Sequence, residues 1–176
     1  MNHEKPFRPM AKDIPAQKQS YPPQQSKMKP EPADDLKFYR PAEKLLGKRA
    51  LITGGDSGIG RSVAIAFAME GADVAIAYHS SDDDAKRTQA LVESHGRRCV
   101  LLKGDVGSTE DCRRFVETTV RDLGGLNILV NNAAYQTSKE RLEDYTEEEI
   151  RRTFDTNILG YIFMAQAALK YLENGD

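Results

Sequence analysis

The stretch Thr53-Gly54-Gly55-Asp56-Ser57-Gly58-Ile59-Gly60 joins the apolar run Ala50-Leu51-Ile52 to the helix-like run Arg61-Ser62-Val63-Ala64-Ile65-Ala66-Phe67-Ala68. The chemistry such a turn offers is anion binding. Missing side chains let the backbone turn tightly and let a phosphate approach N–H groups at a helix N-terminus, where the helix dipole also favours negative charge. Three readings compete. One is a plain loop. A P-loop has Gly55, Gly60 and Ser62 suitably spaced, but Arg61 stands where the lysine that reaches the β/γ-phosphates is needed. A dinucleotide-binding turn fits as Gly54-x-x-x-Gly58-x-Gly60, although the strict G-x-G-x-x-G does not.

The elements that must position this turn are set by periodicity. Apolar runs over 49–52, 74–78, 99–102 and 128–130 alternate with amphipathic stretches over 57–70, 82–95, 108–123 and 146–172. That is the pattern of βαβ units on a parallel sheet, and uninterrupted apolar runs mean strands covered on both faces. The predicted fold class is α/β: a three-layer, Rossmann-like, doubly wound parallel sheet, with about four strands and four helices in these residues. Thr146 and Glu149 form a capping box, and Ser80 or Ser81 caps a helix that opens Asp82-Asp83-Asp84. Those aspartates fan out by about 100° each around a helix and cannot converge on one ion, so they are assigned to the helix dipole. His3, His79 and His95 lack ligand spacing, and no metal is expected.

The 176 residues, 39% hydrophobic and 30% charged, suffice for one core. A net charge of −2 gives no electrostatic case for nucleic acid or an anionic membrane, and no apolar run approaches a membrane span. Cys99 and Cys112 form neither a C-x-x-C pair nor a disulfide framework, which points to a cytoplasmic chain with free, packed thiols. All eight prolines lie at or before Pro41, alongside Gln17, Gln19, Gln24 and Gln25. Residues 1–36 are therefore expected to be a disordered or loosely draped arm, 37–47 a linker and 48–176 the folded domain. Phe7, Met10, Ile14, Tyr21, Met28, Phe38 and Tyr39 are spaced so that the arm could dock on a folded surface.

In a parallel sheet, functional residues collect at the C-terminal strand ends. Those ends are the glycine turn, Tyr78-His79-Ser80-Ser81, Gly104-Asp105-Val106 and Asn131-Asn132-Ala133-Ala134. In order and spacing they resemble the short-chain dehydrogenase/reductase family, with its T-G-x-x-x-G-I-G turn, its D-V pair beside the adenine and its N-N-A-G, where Ala134 replaces the glycine. Asn157, in Phe154-Asp155-Thr156-Asn157, aligns with the family's helix-borne Asn that helps hold a proton-relay water. The resemblance covers about 45–176. The Pro/Gln-rich leader, Tyr39-Arg40-Pro41, Leu45-Leu46-Gly47-Lys48 and the Gly-Gly-Asp-Ser turn are similar to the glucose/ribitol-dehydrogenase-like and general-stress oxidoreductase subgroup.

The resemblance implies hydride transfer between NAD(P) and an alcohol or carbonyl, a sugar or polyol among the candidates, in a homo-oligomer. It implies cofactor contacts at Gly54, Gly55, Asp56, Ser57, Gly58, Ile59, Gly60, His79, Ser80, Asp105, Val106, Asn131, Asn132 and Ala133. No acid stands at the second strand end to take a ribose 2′-hydroxyl, which favours NADP(H) over NAD(H). The family's catalytic Ser and its helical Tyr-x-x-x-Lys are another matter. The one such spacing here, Tyr135 to Lys139, falls in a loop before the Thr146 cap, so Asn157 alone of the catalytic set is expected within the chain. The expectation is a truncated oxidoreductase, inactive and marginally stable alone, with its fourth strand a bare edge and Phe154, Ile158, Phe163 and Met164 exposed. The alternative is a non-catalytic dinucleotide-binding half-domain that pairs with a full-length relative.

Overall fold

The apolar runs become four parallel strands, and each leads into a chain segment that crosses a sheet face. The computed structural model describes residues 10–17, 19, 25–32, 34 and 36–176; Phe7 and Tyr21, two of the expected arm anchors, lie outside them. The strands are β1 (Arg49–Thr53), β2 (Asp73–Tyr78), β3 (Cys99–Lys103) and β4 (Ile128–Val130), in spatial order β3-β2-β1-β4. Ala50 stands opposite Val74 on one side and Ile128 on the other, in parallel register. The chain first builds outward from β1 through β2 to β3, then returns to place β4 on the other flank. That reversal opens a crevice at the strand C-termini between β1 and β4.

The period-2 alternation of β1 sorts its side chains into two cores. Leu51 joins Phe115, Val116 and Met164 under α3 (Thr109–Leu123) and α5 (Gly160–Ala168). Ala50 and Ile52 join Ala64, Ala68 and Val92 under α1 (Gly58–Met69) and α2 (Asp82–Glu93). Every β2 residue is buried, as a strand covered on both faces requires. Helix ends obey local chemistry. Ser108 caps α3 by accepting from the Asp111 amide, Gly124 ends it at φ 83°, and the Thr146/Glu149 capping box opens α4 (Glu147–Phe154).

The last helical stretch differs from the single helix expected over 146–172. A π-helical turn over Asp155–Leu159 separates α4 from α5, and α5 ends at Ala168. The expected exposed apolar set also divides. Phe154 and Ile158 are exposed, but Phe163 packs against the core and Met164 is fully buried in the core that α5 shares with α3. Among the described residues no helix is long and apolar enough to cross a membrane.

The described part of the arm makes specific contacts. Gln25 and Asp34 are buried against the start of α1. The 37–47 segment is fastened to the other end of that helix: the Glu70 carboxylate accepts from the Tyr39 hydroxyl and from the Ala42 and Lys44 amides.

Candidate functional site

The glycine turn leaves β1 through Gly54, whose φ of 64° is left-handed and whose amide donates to Ala77 O at 2.7 Å. Gly60 is where close approach is tightest. A Cβ there would sit 2.0 Å from Gly54 O and 2.6 Å from Asn132 Nδ2, so the turn can close only on hydrogen. The end of β4 clamps the turn from the other side. Asn132 Nδ2 donates to Thr53 O at 2.9 Å and Gly54 O at 3.1 Å. In return, buried Thr53 Oγ1 accepts from the amides of Asn132 and Ala133 at 2.9 and 3.0 Å. At the start of α1, the Gly58 amide is taken by Gln25 Oε1 at 2.7 Å, and the amides of Ile59 and Gly60 have no partner among the described residues.

Arg61, the residue that argued against a P-loop, is fully buried and serves as the tie behind the turn. Its guanidinium donates to Asp56 O at 2.7 Å, Thr88 Oγ1 at 2.9 Å, Asp84 Oδ1 at 3.0 Å and Asp34 Oδ2 at 3.2 Å. Two of the three aspartates assigned to the helix dipole have individual partners. Asp84 pairs with Arg61, and Asp82 accepts from Lys103 Nζ at 2.7 Å and the Tyr78 hydroxyl at 2.9 Å, with the Lys103 contact holding its carboxyl below the ordinary range. Burial and then that bond to Asp82 push the Tyr78 hydroxyl up to about 12, and burial raises Asp56.

These parts frame a cleft of about 520 Å³, within the range of roughly 300–1,000 Å³ usual for ligand pockets. Of the residues singled out from sequence, Gly54, Asp56, Ser57, Ile59, His79, Ser80, Asp105, Val106, Asn132 and Ala133 line it. Gly55, Gly58, Gly60, Asn131 and Asn157 do not: Gly55 is pressed on Ile76, where a Cβ would come within 2.6 Å, and Asn131 Nδ2 donates to Tyr161 O. Asn157 lies in the π turn and brackets one residue's backbone, accepting from Tyr135 N at 2.8 Å and donating to Tyr135 O at 2.9 Å. Tyr135 and Lys139 sit in irregular backbone, and Lys139 pairs with Glu149 at 2.9 Å. Gln136, Arg152 and Thr156 complete the cleft wall and carried no motif; the one available signal is the position of Arg152 and Thr156 shortly before Asn157. No group of three or more His, Cys, Asp or Glu among the described residues is placed to hold a metal.

A parallel sheet with its switch point beside a glycine turn defines a doubly wound α/β domain of the Rossmann class. Within that class, the chain belongs to the short chain dehydrogenase family, whose model matches residues 48–176. It is 50% identical over 166 residues to general stress protein 39 of Bacillus subtilis, covering 94% of this chain and 58% of that one. It is 42% identical over 170 residues to glucose and ribitol dehydrogenase of Daucus carota, covering 93% of this chain and 58% of that one. A crystal structure of a short chain dehydrogenase from Burkholderia cenocepacia in complex with NADP superposes with a TM-score of 0.70 at 40% identity, covering 75% of this chain and 54% of that one. The chain spans about half the length of the curated relatives it matches.

Proposed function

We propose that these residues form the dinucleotide half of an NAD(P)-dependent oxidoreductase acting between an alcohol and a carbonyl, a sugar or polyol being the substrate class suggested by the similarity to glucose and ribitol dehydrogenase. The observation that carries the reading is the Gly60 contact: a turn built so tightly that a Cβ would meet Gly54 O at 2.0 Å, with the amides of Ile59 and Gly60, unpaired among the described residues, at the positive end of α1. Those amides and Ser57 would bind the diphosphate, and Asp105 and Val106 would flank the adenine. Asn132 and Ala133 would keep the β4 end open toward the nicotinamide. The dinucleotide, when bound, supplies the hydride acceptor or donor. Asn157 holds the backbone of Tyr135 through both side-chain atoms, between the cleft-lining residues Ala134 and Gln136.

NADP(H) is the preferred form. Cleft residues Tyr78, His79, Ser80 and Ser81 include no carboxylate, and Asp82 is engaged by Lys103 and Tyr78. An acid free to accept from a 2′-hydroxyl and repel a 2′-phosphate is thus missing from that wall. Turnover by these 176 residues alone is not expected, because their one Tyr-x-x-x-Lys spacing is off any helix. Titration with NADPH and with NADH tests the reading: saturable binding, tighter for NADPH, is expected, and a folded chain that binds neither refutes it.

A further inference from the structure

We infer that the N-terminal arm is a positioning element of the glycine turn: Gln25 saturates the first amide of α1 and Asp34 pairs with Arg61, so the turn is held in its anion-receiving shape from behind. The inference rests on the dinucleotide reading proposed for this site. Three observations carry it. Gln25 and Asp34 are buried in a segment whose composition gives no reason for burial, and they hydrogen-bond to each other. Their targets are functional backbone and its support: the Gly58 amide at 2.7 Å, and the guanidinium that holds Asp56 O. Neither Gln25, Asp34, Gly58 nor Arg61 lines the cleft, and the same holds of the other described residues of the arm.

The consequence is a division of labour among the first-turn amides. A helix N-terminus presents several unpaired N–H groups, and a mobile turn would spread them over water and ligand. With the Gly58 amide taken, those of Ile59 and Gly60 are left for the diphosphate. The arm is further fastened beyond the turn, since Glu31 pairs with Arg87 of α2 at 2.7 Å, and it is braced within itself by two hydrogen bonds between Gln17 and the Lys29 backbone.

The test compares the full chain with Gln25→Ala, which leaves the Asp34–Arg61 pair in place, using NADPH, ADP and adenosine as probes. A positioning role weakens NADPH and ADP about ten-fold, the scale of a hydrogen bond lost around a charged ligand, and leaves adenosine, which has no diphosphate, within about two-fold. Equal affinities in parent and variant overturn the inference and leave the dinucleotide reading standing. A parallel loss for all three probes also overturns it, since that is general destabilisation. If the parent binds neither NADPH nor NADH, the dinucleotide reading itself fails and this inference with it. Hydrogen exchange of the unsubstituted chain covers the case of a variant that does not fold. On addition of NADPH, amides over 25–34 should slow together with those over 54–61, and a 25–34 segment indifferent to NADPH overturns the inference.

Discussion

Replacing Arg61 by methionine keeps the unbranched stem and removes the guanidinium. Two carboxylates, Asp34 and Asp84, then remain with side chains only 9% and 8% exposed, Thr88 Oγ1 loses the guanidinium donor, and Asp56 O is left with the Thr88 hydroxyl. Removing one partner of a buried ion pair costs about 3–5 kcal/mol, because the remaining charge is uncompensated. Domains of this kind have about 5–15 kcal/mol in total, so the loss is a large fraction of the stability. In urea, with a slope of about 2 kcal/mol per molar, the midpoint should fall by roughly 2 M. The sharper readout is recovery. Adding Asp34→Asn and Asp84→Asn to Arg61→Met removes the stranded charges and should restore at least about half of the loss. A midpoint unchanged by Arg61→Met, or no recovery in the triple variant, refutes the reasoning that this network is held by compensated charge.

The same geometry sets four further outcomes. Gly60→Ala should weaken NADPH binding ten- to a hundred-fold in a titration, since relieving a 2.0 Å approach to Gly54 O is an overpacking cost of about 1–3 kcal/mol. Thr53→Val strands the Asn132 and Ala133 amides and should cost about 1–3 kcal/mol in a thermal or urea melt, while Thr53→Ser retains most of the stability. Glu70, held by the Tyr39 hydroxyl and then the Lys44 amide, has its carboxyl lowered from 4.5 to about 2. Its contribution is therefore complete above the unfolded value and is lost as pH falls from about 4.5 through about 2, and Glu70→Gln should flatten that limb of the melting profile. Burial pushes the Cys99 thiol up to about 12 and that of Cys112 to about 11, so a disulfide reagent at neutral pH should label neither until denaturant is added.

The sheet was legible because strand burial is written in consecutive residues. Ala50, Leu51 and Ile52, and all of β2, are apolar without a break apart from the leading Asp73, and the glycine turn and the Thr146 capping box are local patterns whose chemistry does not depend on distant partners. What escaped was settled across the fold. Nothing near Gln25 or Asp34 marks either for burial, since their counterparts Gly58 and Arg61 are about thirty residues away. The three consecutive aspartates looked alike in sequence. A helix points them in different directions, so Asp84 met Arg61 and Asp82 met Lys103. Met164 packs with Ala167 and Ala168 of α5 into the core under α3, a long-range contact, and so is buried where exposure was expected. Thr156 and Arg152 reach the cleft by lying on the inward side of the irregular helical stretch before α5.

The most direct test of the account is equilibrium titration of the 176-residue chain and its Gly60→Ala variant with NADPH, each shown to be folded by a cooperative melt. The account predicts saturable binding to the parent, with NADH weaker, and at least about a ten-fold loss in the variant. A folded parent that binds neither dinucleotide, or a variant that binds as tightly as the parent, would contradict it.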